Sequence, residues 1–192
     1  PFKTAFNQEE DRNINNEYGE TSLHHACKNG RNSIAQFLLN NTELQINMKT
    51  KVNHGINVNA KTKSGNTAFN WAYKGGHSGV VKILMVNAVA LSIDLNMQDN
   101  DGMTGFHWAC QRGQLEVLKI FMENSLALKI DLNAKNKNGW TGFHWTTSLG
   151  CSDMAQIFME NAIALGIDLN AKDNYNVTGF HQACWRGYND VF

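Results

Sequence analysis

The sequence predicts an all-α repeat solenoid, in which modules of a polar hairpin and two antiparallel helices stack in a row. A phrase opening on threonine occurs five times, at Thr21, Thr67, Thr104, Thr141 and Thr178, and four copies place a histidine three residues later (His24, His107, His144 and His181). The last three copies start 37 residues apart, and a fixed period of roughly 20–50 residues marks a stacked-repeat architecture. Within each period the apolar residues recur at helical spacing. Each module buries its apolar face only against its neighbours, so the chain is an extended surface rather than a closed globule.

Residues 96–132 show how one module is specified. The polar stretch 96–102 has turn chemistry and ends on Asp101-Gly102, a strong hairpin dipeptide. Thr104 reads as a helix N-cap whose hydroxyl accepts a backbone N–H. His107 stands at the capping-box position, from which its ring can reach back to the threonine, and its first role is therefore structural. Phe106, Ala109 and Cys110 form the buried stripe of a first helix, and Gly113 stops it. Leu115, Leu118, Phe121 and Met122 repeat the spacing for a second helix.

The phrase at Thr21 (Thr-Ser-Leu-His-His-Ala), with its copies at Thr67, Thr104, Thr141 and Thr178, resembles the Thr-Pro-Leu-His-x-Ala signature of ankyrin repeats. The resemblance extends to a glycine between the two helices (Gly30, Gly76, Gly113, Gly187) and to an Ile-Asp-Leu-Asn string at 93–96, 130–133 and 167–170, followed by Gly102 or Gly139. It covers nearly the whole chain and gives one array with repeats at about 13–46, 57–95, 96–132, 133–169 and 170–192. The proline usual after the threonine is replaced by Ser22, Ala68, Gly105, Gly142 and Gly179. Without the preset φ of proline, each repeat is expected to lose some stability.

The 37-residue period exceeds the family's by four residues, which fall after the second-helix stripe, at 125–129 and 162–166. Four residues are close to one helical turn, so they can lengthen the second helix without turning its apolar face, with Leu126 and Leu128 packing on neighbours. A longer loop is the alternative. Residues 40–55 are polar without clear period and read as an insertion loop. The fifth repeat stops soon after Gly187 and neither end carries a polar cap, so the chain is expected to be part of a longer array.

Basic and acidic residues balance at 17 each, leaving no global field that favours nucleic acid or a membrane surface. No apolar run approaches the roughly 20 residues needed to span a bilayer, and the first residues lack a signal peptide's apolar core. Cys27, Cys110 and Cys184 recur at one repeat position, which with Cys151 suggests reduced thiols in cytoplasm or nucleus. The sequons at Asn40 and Asn176 are expected by chance in so asparagine-rich a chain. His24/Cys27, His107/Cys110 and His181/Cys184 share a helix face as zinc ligands would, but repeat four has Thr147 instead, and the plain reading is core filling. No metal site, cofactor or catalytic motif is expected. Trp71, Trp108 and Trp145 form a ladder assigned to helix packing rather than base stacking.

The resemblance implies that a partner binds the concave face, made of hairpin tips and the exposed edge of the first helices. Carried onto this sequence, that face offers Tyr18, Lys61, Lys63, Lys74, Met103, Arg112, Lys135, Lys137, Trp140, Lys172, Tyr175, Trp185 and Arg186. With Lys28 it holds nine cations against Glu17, Glu20 and Asp101, which predicts an acidic protein or peptide. Trp140, Tyr175 and Trp185, with Arg112 and Arg186, are interface-anchor residue types clustered toward the C-terminal repeats. Asn96, Asn133 and Asn170 follow Asp-Leu, a string similar to sites hydroxylated in ankyrin repeats, although bonding of the hairpin backbone explains them directly. The expected function is a non-catalytic interaction scaffold. An architectural spacer is the alternative, and an enzyme using the His/Cys pairs a distant third.

Overall fold

The structure, a computed structural model, describes residues 15–47 and 56–188. Among them are nine helices and no strand: α1 (Ser22–Lys28), α2 (Asn32–Asn47), α3 (Ala68–Gly75), α4 (Ser78–Val86), α5 (Gly105–Gln111), α6 (Leu115–Leu128), α7 (Gly142–Ser148), α8 (Ser152–Leu165) and α9 (Gly179–Arg186). The odd-numbered helices pack on one another in series, as do α2, α4, α6 and α8, and each of α1, α3, α5 and α7 also packs on the helix that follows it. This is the all-α repeat solenoid that the threonine period predicts.

Each inner helix begins as its sequence specifies. Thr21, Thr67, Thr104 and Thr178 accept the backbone N–H three residues on, and His24, His107, His144 and His181 close capping boxes with their threonines. The hairpins are held by side chains at one register position. The Oδ1 atoms of Asn16, Asp99, Asn136 and Asp173 each accept two backbone N–H groups of their own turn, at 2.8–3.0 Å. Successive tips are joined by one backbone bond each: Lys63 N–H to Tyr18 O, Asn100 to Ser64, Lys137 to Asp101 and Asn174 to Asn138.

The core is an aromatic spine. Phe69, Tyr73, Phe121, Phe106, Phe158, Phe143 and Phe180 follow one another with ring centroids 4.6–5.8 Å apart, within the range that favours edge and tilted contacts. The spine crosses from repeat to repeat because Gly105, Gly142 and Gly179 lack a side chain. A Cβ on Gly105 would lie 2.0 Å from Tyr73, one on Gly142 2.6 Å from Phe106 and one on Gly179 2.8 Å from Phe143. Besides forgoing proline's preset φ, these glycines open the space through which the preceding ring enters.

The four surplus residues are helical. Both α6 and α8 run 14 residues and end on left-handed Lys129 and Gly166. Leu128 packs against the core, but Leu126 is 70% exposed, contrary to the expected packing, because the added turn aims it away from the neighbouring helices. The expected loop at 40–55 is corrected as well: α2 continues through Asn47, and residues 48–55 lie outside the described part.

Candidate functional site

One register position of the inner helices is held by Trp71, Trp108, Trp145 and then Gln182. All three indoles are half-buried, and Trp108 and Trp145 pack on the core, as expected of the ladder. The rings of Trp71 and Trp108 are covered by the chain's own cations. Lys28 Nζ lies 4.7 Å from the Trp71 ring, and Lys74 Nζ lies 5.0 Å from Trp71 and 4.1 Å from Trp108. Burial, then repulsion from Arg112, holds the Lys74 ammonium below its ordinary pKa. Trp108 Nε1 donates to Asp99 Oδ2 at 3.1 Å. In the next repeat Asn136 replaces that aspartate and points its amide nitrogen at Met103 Sδ, so Trp145 Nε1 has no acceptor.

Beyond Trp145 the indole series ends. Gln182 is shorter than an indole, and a hollow of about 540 Å³ opens above it, lined by Asn138, Trp140, Asp173, Tyr175, Val177, Gln182, Trp185 and Arg186. Trp140 forms a fixed wall: its Nε1 donates to Asp173 Oδ2 at 3.2 Å, and its ring meets Trp145 edge-on at 4.5 Å. Tyr175 and Trp185 stand exposed on the other sides.

Four of the residues selected from sequence, Trp140, Tyr175, Trp185 and Arg186, therefore meet at one place. Tyr18, Lys61, Lys63, Arg112, Lys135, Lys137 and Lys172 are exposed along the array but do not line the hollow. Met103 is a correction: at 3% exposure it sits beneath its hairpin, a ligand for the Asn136 amide rather than for a partner. Glu20, counted on the face, is also buried and is paired with Lys28 at 3.0 Å. Two lysines are committed to stacking. Lys61 Nζ donates to Gln98 O, Gln98 Nε2 to Lys135 O, and Lys135 Nζ to Lys172 O, at 2.7–3.0 Å.

The asparagines have a similar role. Asn96 donates to Lys129 O and accepts from Asp131 N–H, and Asn133 repeats this with Gly166 and Asp168, at 2.8–3.0 Å. Asn170 is exposed, and its backbone N–H donates to Asp168 Oδ1. Asp173 and Gln182 were missed from sequence. Gln182 carries a legible signal, because it interrupts a tryptophan that three earlier repeats keep.

Among the described residues no group of three or more His, Cys, Asp and Glu side chains could hold a metal ion, and no helix is long and apolar enough to cross a membrane. No curated protein sequence matches the chain. The family model for ankyrin repeats, which spans three copies, matches it over residues 2–92, 50–135 and 85–173. With the capped helix pairs, the laddered hairpins and this match over most of its length, the chain belongs to the ankyrin repeat family.

Proposed function

We propose that the array is a non-catalytic scaffold that binds an acidic protein or peptide along the groove between hairpin tips and inner helices. Ankyrin repeats are in general protein–protein interaction modules. The observation that carries the finer reading is the convergence of Trp140, Tyr175, Trp185 and Arg186, from two hairpins and α9, on one hollow. Such residues supply most of the energy of protein interfaces when they meet a partner. Charge supports the acidic partner: of the residues assigned to that face, Lys63, Lys137, Lys172, Arg112 and Arg186 are exposed, against exposed Glu17 and Asp101. Complementary charge steers encounter and fixes register.

Selection of a displayed random-peptide library on the purified array tests this. Peptides enriched in aspartate and glutamate are expected, with binding weakened by added salt and by Lys63→Glu with Lys137→Glu. Enrichment without acidic bias would overturn the acidic reading. The Lys61–Gln98–Lys135–Lys172 ladder favours a second reading, an architectural spacer in which these side chains serve stacking alone. Failure to enrich any sequence supports that one.

A further inference from the structure

We infer that the hollow over Gln182 receives a single tryptophan or tyrosine side chain of the acidic partner, an inference that rests on the groove-binding reading. In the three preceding repeats this register position holds the chain's own indole, Trp71, Trp108 or Trp145. At Gln182 a hollow stands in that place, and its space of about 540 Å³ accommodates a flat ring of that size. A register position that supplies its own indole three times and then omits it is shaped for the ring it lacks.

One wall is set before a partner arrives. Trp140 is pinned by Asp173 and Trp145. The Asp173 turn is locked by N–H bonds from Tyr175 and Val177 to Oδ1 at 2.8 and 2.9 Å. A wall already in place spares part of the ordering cost of binding. Those bonds, with the one from Trp140, engage both Asp173 oxygens within the turn, and Arg186 is the cation at the rim.

The donor requirement comes from Gln182 itself. It is 7% exposed, and its Oε1 is buried with no hydrogen-bond partner. An unpaired buried acceptor is unfavourable and is relieved by any donor brought to it. Among aromatic side chains, tryptophan and tyrosine carry such a donor and phenylalanine does not. Arg186 then stands beside the ring for a neighbouring carboxylate.

The test uses three synthetic glutamate-rich peptides, identical except for a central tryptophan, phenylalanine or alanine, titrated against the full chain by calorimetry. The tryptophan peptide is expected to bind at least about tenfold more tightly than the alanine one, with phenylalanine between them. Gln182→Trp, which gives the fifth repeat the residue of the three before it, is expected to remove the difference between the tryptophan and alanine peptides. Gln182→Met keeps the hollow but loses the acceptor, and is expected to equalise tryptophan and phenylalanine. Far-UV dichroism checks that both variants fold, and Trp185→Ala, at an exposed wall, gives a second reading if either does not. Equal binding of the tryptophan and alanine peptides, still sensitive to Lys63→Glu with Lys137→Glu, would overturn this inference and leave the groove reading standing. If none of the peptides binds, both fall.

Discussion

The imidazole of His107 bridges two repeats: its Nε2 lies 2.9 Å from the carbonyl oxygen of Trp140, while Thr104 N–H donates to its Nδ1 at 3.1 Å. Nδ1 is therefore the acceptor, and the ring proton sits on Nε2, facing the carbonyl. His24 to Asn66 O and His144 to Val177 O repeat the bridge at 3.2 and 3.1 Å. The second repeat breaks the series. Asn70 takes the Thr67 hydroxyl bond but is too short to cross, and its Nδ2 is buried without an acceptor. Asn70→His is expected to raise stability by about 1–2 kcal/mol, combining one net hydrogen bond with relief of an orphaned donor. A urea midpoint that fails to rise at unchanged m would refute the account.

The same histidines make stability depend on pH. Burial pushes the imidazole pKa of His24, His107 and His144 below the ordinary value, although the carbonyl bonds pull the other way. The unfolded chain then binds protons first, as pH falls below about 6.5. Stability is thus complete above that pH and is lost on acidification toward the lowered folded values. Unfolding midpoints measured between about pH 7.5 and pH 5 should fall, and His107→Gln should shorten that fall. A profile flat over this interval would show that these rings are not the linkage.

Glycine at the first helical position gives an outcome opposite to helix propensity. Alanine in place of glycine normally gains up to about 1 kcal/mol in a helix. At Gly105 the added methyl would stand 2.0 Å from Tyr73, a side chain with no exposed surface. Overpacking costs roughly 1–3 kcal/mol, so Gly105→Ala is expected to lower stability. Ser22 holds the same position in the first repeat but is exposed, and Thr21 already has the extended backbone (φ −86°, ψ 171°) that a following proline requires. Ser22→Pro is expected to add about 0.4–1 kcal/mol. Thermal unfolding of the two variants should shift in opposite directions.

The fold was legible because its signals are local: the threonine caps, the histidine of the capping box and the left-handed glycines each act within a few residues. What escaped depends on neighbours one repeat away. Met103 reads as a hairpin-tip residue, but the side chain of Asn136 from the next hairpin lies against it and its surface is closed off. Gly105 reads as a missing proline until Tyr73 of the preceding repeat is placed beside it. Lys61 and Lys135 read as free cations, whereas each is tied to a backbone carbonyl 37 residues on. Trp140, Tyr175 and Trp185 could be chosen by residue type and repeat position, but their meeting at one hollow depends on the short side chain at Gln182.

Trp140 and Trp185 border the same hollow, and truncating them should separate binding from folding. Trp185 is 73% exposed, so Trp185→Ala removes little burial and should leave stability within about 0.5 kcal/mol. Trp140 donates to Asp173 and packs edge-on against Trp145, so Trp140→Ala should cost roughly 1–3 kcal/mol in folding as well. Both should weaken affinity for a selected acidic peptide by at least about 2 kcal/mol if they anchor it. Arg112 is exposed and does not line the hollow, so Arg112→Ala should act only through its charge, with a small effect that added salt removes. Urea unfolding and calorimetry on the three variants give the comparison. A Trp185→Ala protein that folds normally and binds with unchanged affinity would remove the hollow from the interface.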